Sequence, residues 1–293
     1  MDQVQTSNSF EKNNIDIDGI TFTYYKTGKG RVLFLVPAFH SDITRFTALI
    51  NYLGRYFTVY IPELPGINSR MPLGHHRHTM ENYGRYLTKL IAKLGFSNYI
   101  LSGFCLGGPI VVHILLHGVV KPRYILLFEA LYDSDDIHIE KMHSIILKII
   151  FALGIENPLV KKLFGIMLHN SKVLKLYFRL VYRHEANIDE ILKNQIRLTD
   201  EMNTRAWLEL IYDIFHFHLG SFEKVFQIPA LLVYNTHDDI LDTNKTIVGM
   251  KKLFPHSEVL KIELARHAPA GPIDDAFVER IIQPILPYIK KLA

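Results

Sequence analysis

The chain has a single cysteine, Cys105, so no intramolecular disulfide can staple it and its core must come from burial alone. Long hydrophobic runs are also missing. The longest apolar stretches, 109–120 and 144–155, are interrupted by His113, His117 or Lys148, short of the roughly 18 residues of a membrane span. Charge of one sign is scarce: 33 Lys and Arg against 29 Asp and Glu leave a net +4, too weak a bias to imply a nucleic-acid partner. Neither G-x-x-x-x-G-K-S/T nor G-x-G-x-x-G occurs, which removes support for a nucleotide cofactor. No internal repeat or low-complexity tract stands out. The polar start, residues 1–14, lacks a basic segment followed by an apolar one, so it reads as a frayed terminus and not a secretory signal. A soluble, cytoplasmic protein is the expectation. What remains is ordinary globular composition, 48% apolar and 21% charged over 293 residues, enough for one large domain or a domain carrying an insertion.

Strand and helix signals alternate in the first half. Residues 20–25, 32–36, 57–61, 99–101 and 124–128 read as strands. Between them Met80, Tyr83, Leu87, Leu90, Ile91 and Leu94 recur at helical spacing, with Gly95 as a C-terminal cap. Such alternation implies βαβ units and a mainly parallel sheet covered on both faces. After Ala130 the pattern changes. From about 133 to 222 the chain reads as helix, with Met142, Ile145, Ile146, Ile149, Ile150 and Leu153 forming one apolar stripe. Trp207, Leu210, Ile211, Ile214 and Phe215 form another. Strands resume at 230–234 and 259–264, and a closing helix begins near Asp274 and Asp275 and is disturbed by Pro284 and Pro287. The expected division is an α/β core, 1–132 with 223–293, and a helical cap or lid, 133–222, inserted into it.

The strongest local signal is Ser102-Gly103-Phe104-Cys105-Leu106-Gly107-Gly108, where a strand ends and an apolar helix begins. G-x-C-x-G is a nucleophile-elbow pattern with cysteine in place of serine. Glycines suit it because side chains at 103 and 107 would meet neighbouring backbone, and the helix N-terminus favours a thiolate. Taken alone, a small-residue contact around an inert buried thiol explains the pattern equally well. Two later segments weigh against that. The strand at 230–234 runs into an acidic turn containing His237, Asp238 and Asp239, and the strand at 259–264 runs into Arg266-His267. Nucleophile, acid and histidine thus follow in chain order, each beyond the carboxyl end of a strand, where active groups of open parallel sheets collect.

In these positions the sequence resembles the α/β-hydrolase family, over nearly its whole length. Pro37-Ala38-Phe39 falls where the family carries its oxyanion loop, usually His-Gly, and Glu63-Leu64-Pro65-Gly66 keeps part of another family stretch. The elbow G-F-C-L-G-G resembles that of dienelactone hydrolases, which use a Cys-His-Asp triad, whereas the large insertion resembles capped esterases and lactonases. The resemblance implies Cys105 as nucleophile, His267 as general base and then acid, and Asp238 as the residue orienting the imidazole. It implies an oxyanion hole from the backbone N–H groups of Phe39 and Leu106. Glu129, at the end of the strand before the insertion, stands where some capped relatives carry the acid and is the alternative to Asp238.

A thiolate nucleophile narrows the chemistry. Attack on an alkyl halide or epoxide would give a thioether that water cannot cleave, so acyl transfer from an ester, lactone or thioester remains. The leading expectation is a cofactor-free hydrolase of carboxylic esters or lactones, working as a monomer or homodimer. A thioesterase or acyltransferase on the same triad is the alternative, and a slow or non-catalytic small-molecule receptor is a third reading. The insertion is expected to control substrate choice, with Trp207 and Phe215 over the entrance and residues 163–178 lining an acyl channel. The histidines at 75, 76 and 78 lack metal-ligand spacing and read as a solvated loop; no metal site is expected. Residues 141–183 hold eight Lys or Arg against one acidic residue, Glu156. The favoured reading is a solvated outer helix face. The sharper one is a basic, apolar cap that attracts amphiphilic or anionic substrates or touches a membrane surface.

Overall fold

In the computed structural model the chain is described over residues 10–39, 41–69, 71–183, 187–264, 266–267 and 273–293. Strand β3 (Arg31–Val36) shows how the sheet is built. Its apolar residues alternate between two faces, Leu33 and Leu35 entering one buried cluster and Phe34 and Val36 the other. β7 (Ala230–Asn235) divides the same way, with Leu231 and Val233 on one side and Leu232 and Tyr234 on the other. Strands apolar on both sides need helices on both sides, as expected of a parallel sheet.

Among the described residues the sheet has eight strands in the order β1-β2-β4-β3-β5-β6-β7-β8, the others being β1 (Glu11–Ile17), β2 (Ile20–Thr27), β4 (Phe57–Pro62), β5 (Tyr99–Phe104), β6 (Tyr124–Phe128) and β8 (Ser257–Ile262). β3 to β8 pair in parallel, while β1 and β2 pair antiparallel at the edge. One face carries α1 (Ile43–Leu53) and α10 (Asp275–Leu292); the other carries α2 (Met80–Lys93), α3 (Gly107–His117) and α9 (Thr243–Leu253). α2 ends as its periodicity predicts, with Leu94 as cap and Gly95 in the left-handed region at φ +70°.

Three expectations need correction. Residues 11–14 are not frayed: they belong to β1, a polar edge strand closed onto β2 by Asp18 and Gly19, both at positive φ. Its alternation is too polar to register as a buried strand. α10 continues through Pro284 and Pro287 to Leu292 and is not broken there. His78 is not solvated. It is fully buried, and its backbone N–H and Nδ1 both meet Glu209 Oε2 at 2.8 Å.

That last contact belongs to the way the insertion is anchored. Between β6 and β7 the described chain leaves the sheet and forms α4 (Lys141–Glu156), α5 (Pro158–Leu168), α6 (Ser171–Val181), α7 (Ile188–Asp200) and α8 (Thr204–Ile214). Asp213 on α8 accepts from Met80 N at 2.7 Å, Asn203 N donates to Gly66 O at 2.8 Å, and Arg197 on α7 bonds Asp42 at 2.7 Å. Asp42 also caps α1 by accepting from Arg45 N, so one carboxylate ties the insertion to the helix lining the site.

Candidate active site

Cys105 sits between β5 and α3 with φ at +49°, a left-handed conformation uncommon for a residue with a side chain. The turn is held by Cys105 N donating to Phe128 O at 2.9 Å and Gly108 N donating to Cys105 O at 3.0 Å. Its glycines are sterically required. A Cβ at Gly103 would lie 2.5 Å from Gly107 O, and one at Gly107 would lie 2.5 Å from Val36 O. Such local strain is characteristic of functional turns.

His267, beyond β8, is buried and its Nδ1 lies 2.6 Å from Asp238 Oδ2 beyond β7. Asp238 is fixed in turn by Ile240 N and Leu241 N, which donate to its Oδ1 at 2.7 and 2.8 Å. Burial alone would lower the imidazole pKa, but the Cys105 sulfur and the Asp238 carboxylate outweigh it and hold His267 well above its usual 6.5. Burial would raise the Asp238 pKa, but the hydrogen bond and charge of His267 keep it below the ordinary carboxylate range. The structure therefore brings Cys105, His267 and Asp238 together from three separate strand ends.

Glu129 joins them. It is buried, at φ +48°, with its carboxyl group beside that of Asp238. Burial and the adjacent Asp238 push its pKa up to about 9, so it is protonated at neutral pH. Glu129, Asp238 and His267 each bring one donor atom within 4.8 Å of the others. Because His267 Nδ1 and Asp238 are already engaged with each other, the cluster reads as a hydrogen-bonded site and not a metal centre.

A cavity of about 440 Å³ opens beside these groups and is lined by Phe39, Phe104, Cys105, Phe128, Glu129 and His267 among others. Its wall is mostly apolar, with polar groups from Arg45, Gln195 and Arg266. Phe104 and Phe128 stack at 4.3 Å between ring centroids. Leu106 follows Cys105 and is fully buried at the start of α3. The insertion reaches the cavity through Val181, Tyr182 and Gln195; residues 163–178, Trp207 and Phe215 do not line it, against expectation. Trp207 instead meets Phe151 edge-to-face and Phe215 stacks on it inside the insertion, where burial of large rings is better satisfied than at a solvated entrance.

Sequence reasoning also missed Asn235, the polar last residue of an otherwise apolar strand. It is fully buried and ties the acid turn to the histidine loop: Oδ1 accepts from His237 N at 3.1 Å and Leu264 N at 2.9 Å, and Nδ2 donates to Arg266 O at 2.9 Å. Asp239, the neighbour of Asp238 in the acidic turn, accepts from His267 N at 2.8 Å. Asn235→Leu should strand these groups, lowering stability by about 3 kcal/mol and turnover with it. Urea unfolding and activity of the folded fraction, measured together, check this; an unchanged midpoint would remove Asn235 from the scaffold.

No family model and no curated protein sequence matches the chain. Solved structures do. The carboxylesterase CesB (YbfK) from Bacillus subtilis superposes with TM-score 0.70 at 15% identity, covering 97% of this chain and 92% of its own. The N-acyl homoserine lactonase AidH, complexed with N-butanoyl homoserine, gives 0.69 at 15% identity, covering 97% of each chain. The epoxide hydrolase CorEH gives 0.68 at 16% identity, covering 96% of this chain and 100% of its own. The fold is the α/β-hydrolase fold. At these identities the likeness concerns the fold, and an α/β-hydrolase fold carrying esterase, lactonase and epoxide hydrolase alike leaves the chemistry to be argued from the site.

Proposed function

We propose that the protein is a cofactor-free acyl hydrolase of carboxylic esters or lactones, acting through an acyl-cysteine intermediate. The observation that carries this is the 2.6 Å Asp238–His267 hydrogen bond beside a cysteine held at positive φ on the wall of an apolar cavity. Cys105 is the nucleophile. Its sulfur attacks the acyl carbonyl, and the oxyanion that forms is held by the backbone N–H groups of Phe39 and Leu106. The protonated His267 gives its proton to the departing alkoxide, and the neutral ring then takes a proton from the water that hydrolyses the thioester. Asp238 keeps the Nδ1 proton in place through both steps.

Residues 133–222 serve as the cap, contributing Val181, Tyr182 and Gln195 to the acyl site. A neutral Glu129 beside Asp238 adds no second negative charge and leaves the acid role to Asp238. The test is a panel of aryl esters and lactones with mass detection of the trapped enzyme. An adduct of one acyl group on Cys105 with free acid as product supports hydrolysis. Acyl transfer to added alcohols or amines in preference to water moves the assignment to a transferase. No turnover and no adduct across the panel would leave a receptor.

A further inference from the structure

The apolar stripe of α4 faces the wrong way for a core. Met142, Ile145, Ile146, Ile149, Ile150 and Leu153 recur at helical spacing, and all are exposed, Met142 by 68%. α5 repeats the arrangement with Leu159, Leu163, Ile166 and Met167, Leu159 being 79% exposed. α6 does so again with Val173, Leu176, Tyr177 and Leu180, Leu176 being 65% exposed. Each helix buries its other side, through Phe151, Leu168, and Leu174 with Phe178. Three successive helices thus carry a second apolar face with no partner among the described residues. Scattered exposed hydrophobics are ordinary, but stripes on helices packed in succession mark an interaction surface.

The charges beside the stripes say what the partner is. Residues 141–183 contain eight Lys or Arg, and the one acidic residue, Glu156, is already paired with Arg77. At 100° per residue Lys141 and Lys148 fall on one flank of the α4 stripe, and Lys172 and Arg179 on one flank of that of α6, Arg179 also lying 3.9 Å from Asp189. Apolar faces bordered by basic residues fit a lipid bilayer with anionic headgroups. A second copy of this chain would instead bring two strongly basic faces together.

The helices suit lying in the interface and not crossing it. α4 and α5 are apolar enough together for a span, but a 106° bend separates them and no single described helix is long enough. The face is also continuous with the cavity: Val181 ends α6, is exposed, and lines the cavity beside Tyr182.

We infer that α4–α6 form a docking surface for anionic membranes, with the apolar stripes seated among the acyl chains and the basic flanks at the headgroups. Binding does not depend on the hydrolase reading, so the test reads it without turnover. The full chain is floated with vesicles of phosphatidylcholine, with and without one-third phosphatidylglycerol, at low and raised salt. Co-flotation with the anionic vesicles, weakened by salt, is expected. The double variant Ile146→Glu/Ile149→Glu should lower partition by at least about tenfold, and Lys141→Gln/Lys148→Gln, on the α4 flank, should lower it on anionic vesicles alone. Circular dichroism and any soluble-ester activity should stay at wild-type values, since none of these residues lines the cavity. Wild-type protein that floats with neither vesicle overturns the proposal, as does binding that survives the glutamate variant. Absence of binding combined with a dimeric mass in light scattering would assign the face to a second copy.

Discussion

Cys105→Ala should lower ester turnover by about 10⁴- to 10⁶-fold, the loss seen when the nucleophile of an acyl-transfer triad is removed. The fold should survive, because the strained turn is set by backbone bonds to Phe128 O and from Gly108 N and not by the sulfur. Chemical modification gives an independent readout. His267 keeps its proton well above the usual 6.5 because Cys105 and Asp238 both stabilise the cation despite burial. Cys105 stands on the cavity wall beside His267, so iodoacetamide should alkylate it at neutral pH, and a substrate ester should protect it. His267→Ala should slow that reaction, and slow turnover more, since deacylation also needs a base. Cys105→Ser tests the sulfur itself: an alkoxide needs stronger base assistance than a thiolate, so a large loss is expected. Full activity in Cys105→Ala would end the covalent mechanism; a fast serine variant would mean that the site is not shaped for sulfur.

Asp238→Asn should cost on the order of 100- to 10,000-fold in kcat, through loss of the imidazole's orientation and of the charge that stabilises it. Glu129→Gln, one strand away, should behave oppositely, with activity within several-fold of wild type and stability raised. The sign follows from its pKa. Unfolded, the carboxyl releases its proton above its ordinary 4.5; folded, it holds the proton until about 9. Stability therefore falls as pH rises from 4.5 towards 9, by about 3 kcal/mol at pH 7. Glutamine cannot ionise and removes that fall, so the variant's advantage in thermal or urea unfolding should be small near pH 5 and larger at pH 8. A crippled Glu129→Gln beside an active Asp238→Asn would move the acid to the start of the insertion.

Much of the architecture could be read locally. A parallel strand is apolar on both faces, so 32–36, 124–128 and 230–234 stand out as short apolar runs without reference to any partner. The elbow was legible for a similar reason. The close approaches that exclude side chains at Gly103 and Gly107 are made within the turn or to the adjacent strand end, so the requirement shows as glycine. The chain order of cysteine, acid and histidine was visible because each follows its own strand.

What depended on distant parts of the chain was not visible. β1 is polar and gains its strand identity only by pairing with β2. Asn235 is one polar residue at a strand end until the acid turn and the histidine loop close around it. Arg45 lies on an apolar helix, and only the packed sheet makes it part of the cavity wall. Glu129 is an ordinary carboxylate in sequence; burial beside Asp238 decides that it holds its proton.

By itself, then, the sequence determined the parallel α/β layout, the elbow and the order of its chemical groups, because these follow from backbone sterics and strand periodicity over a few residues. Tertiary structure alone decided which groups share the cavity, which carboxyl is charged, and that the stripes of α4–α6 point outward. Periodicity defines an apolar face but carries no information about what that face will meet.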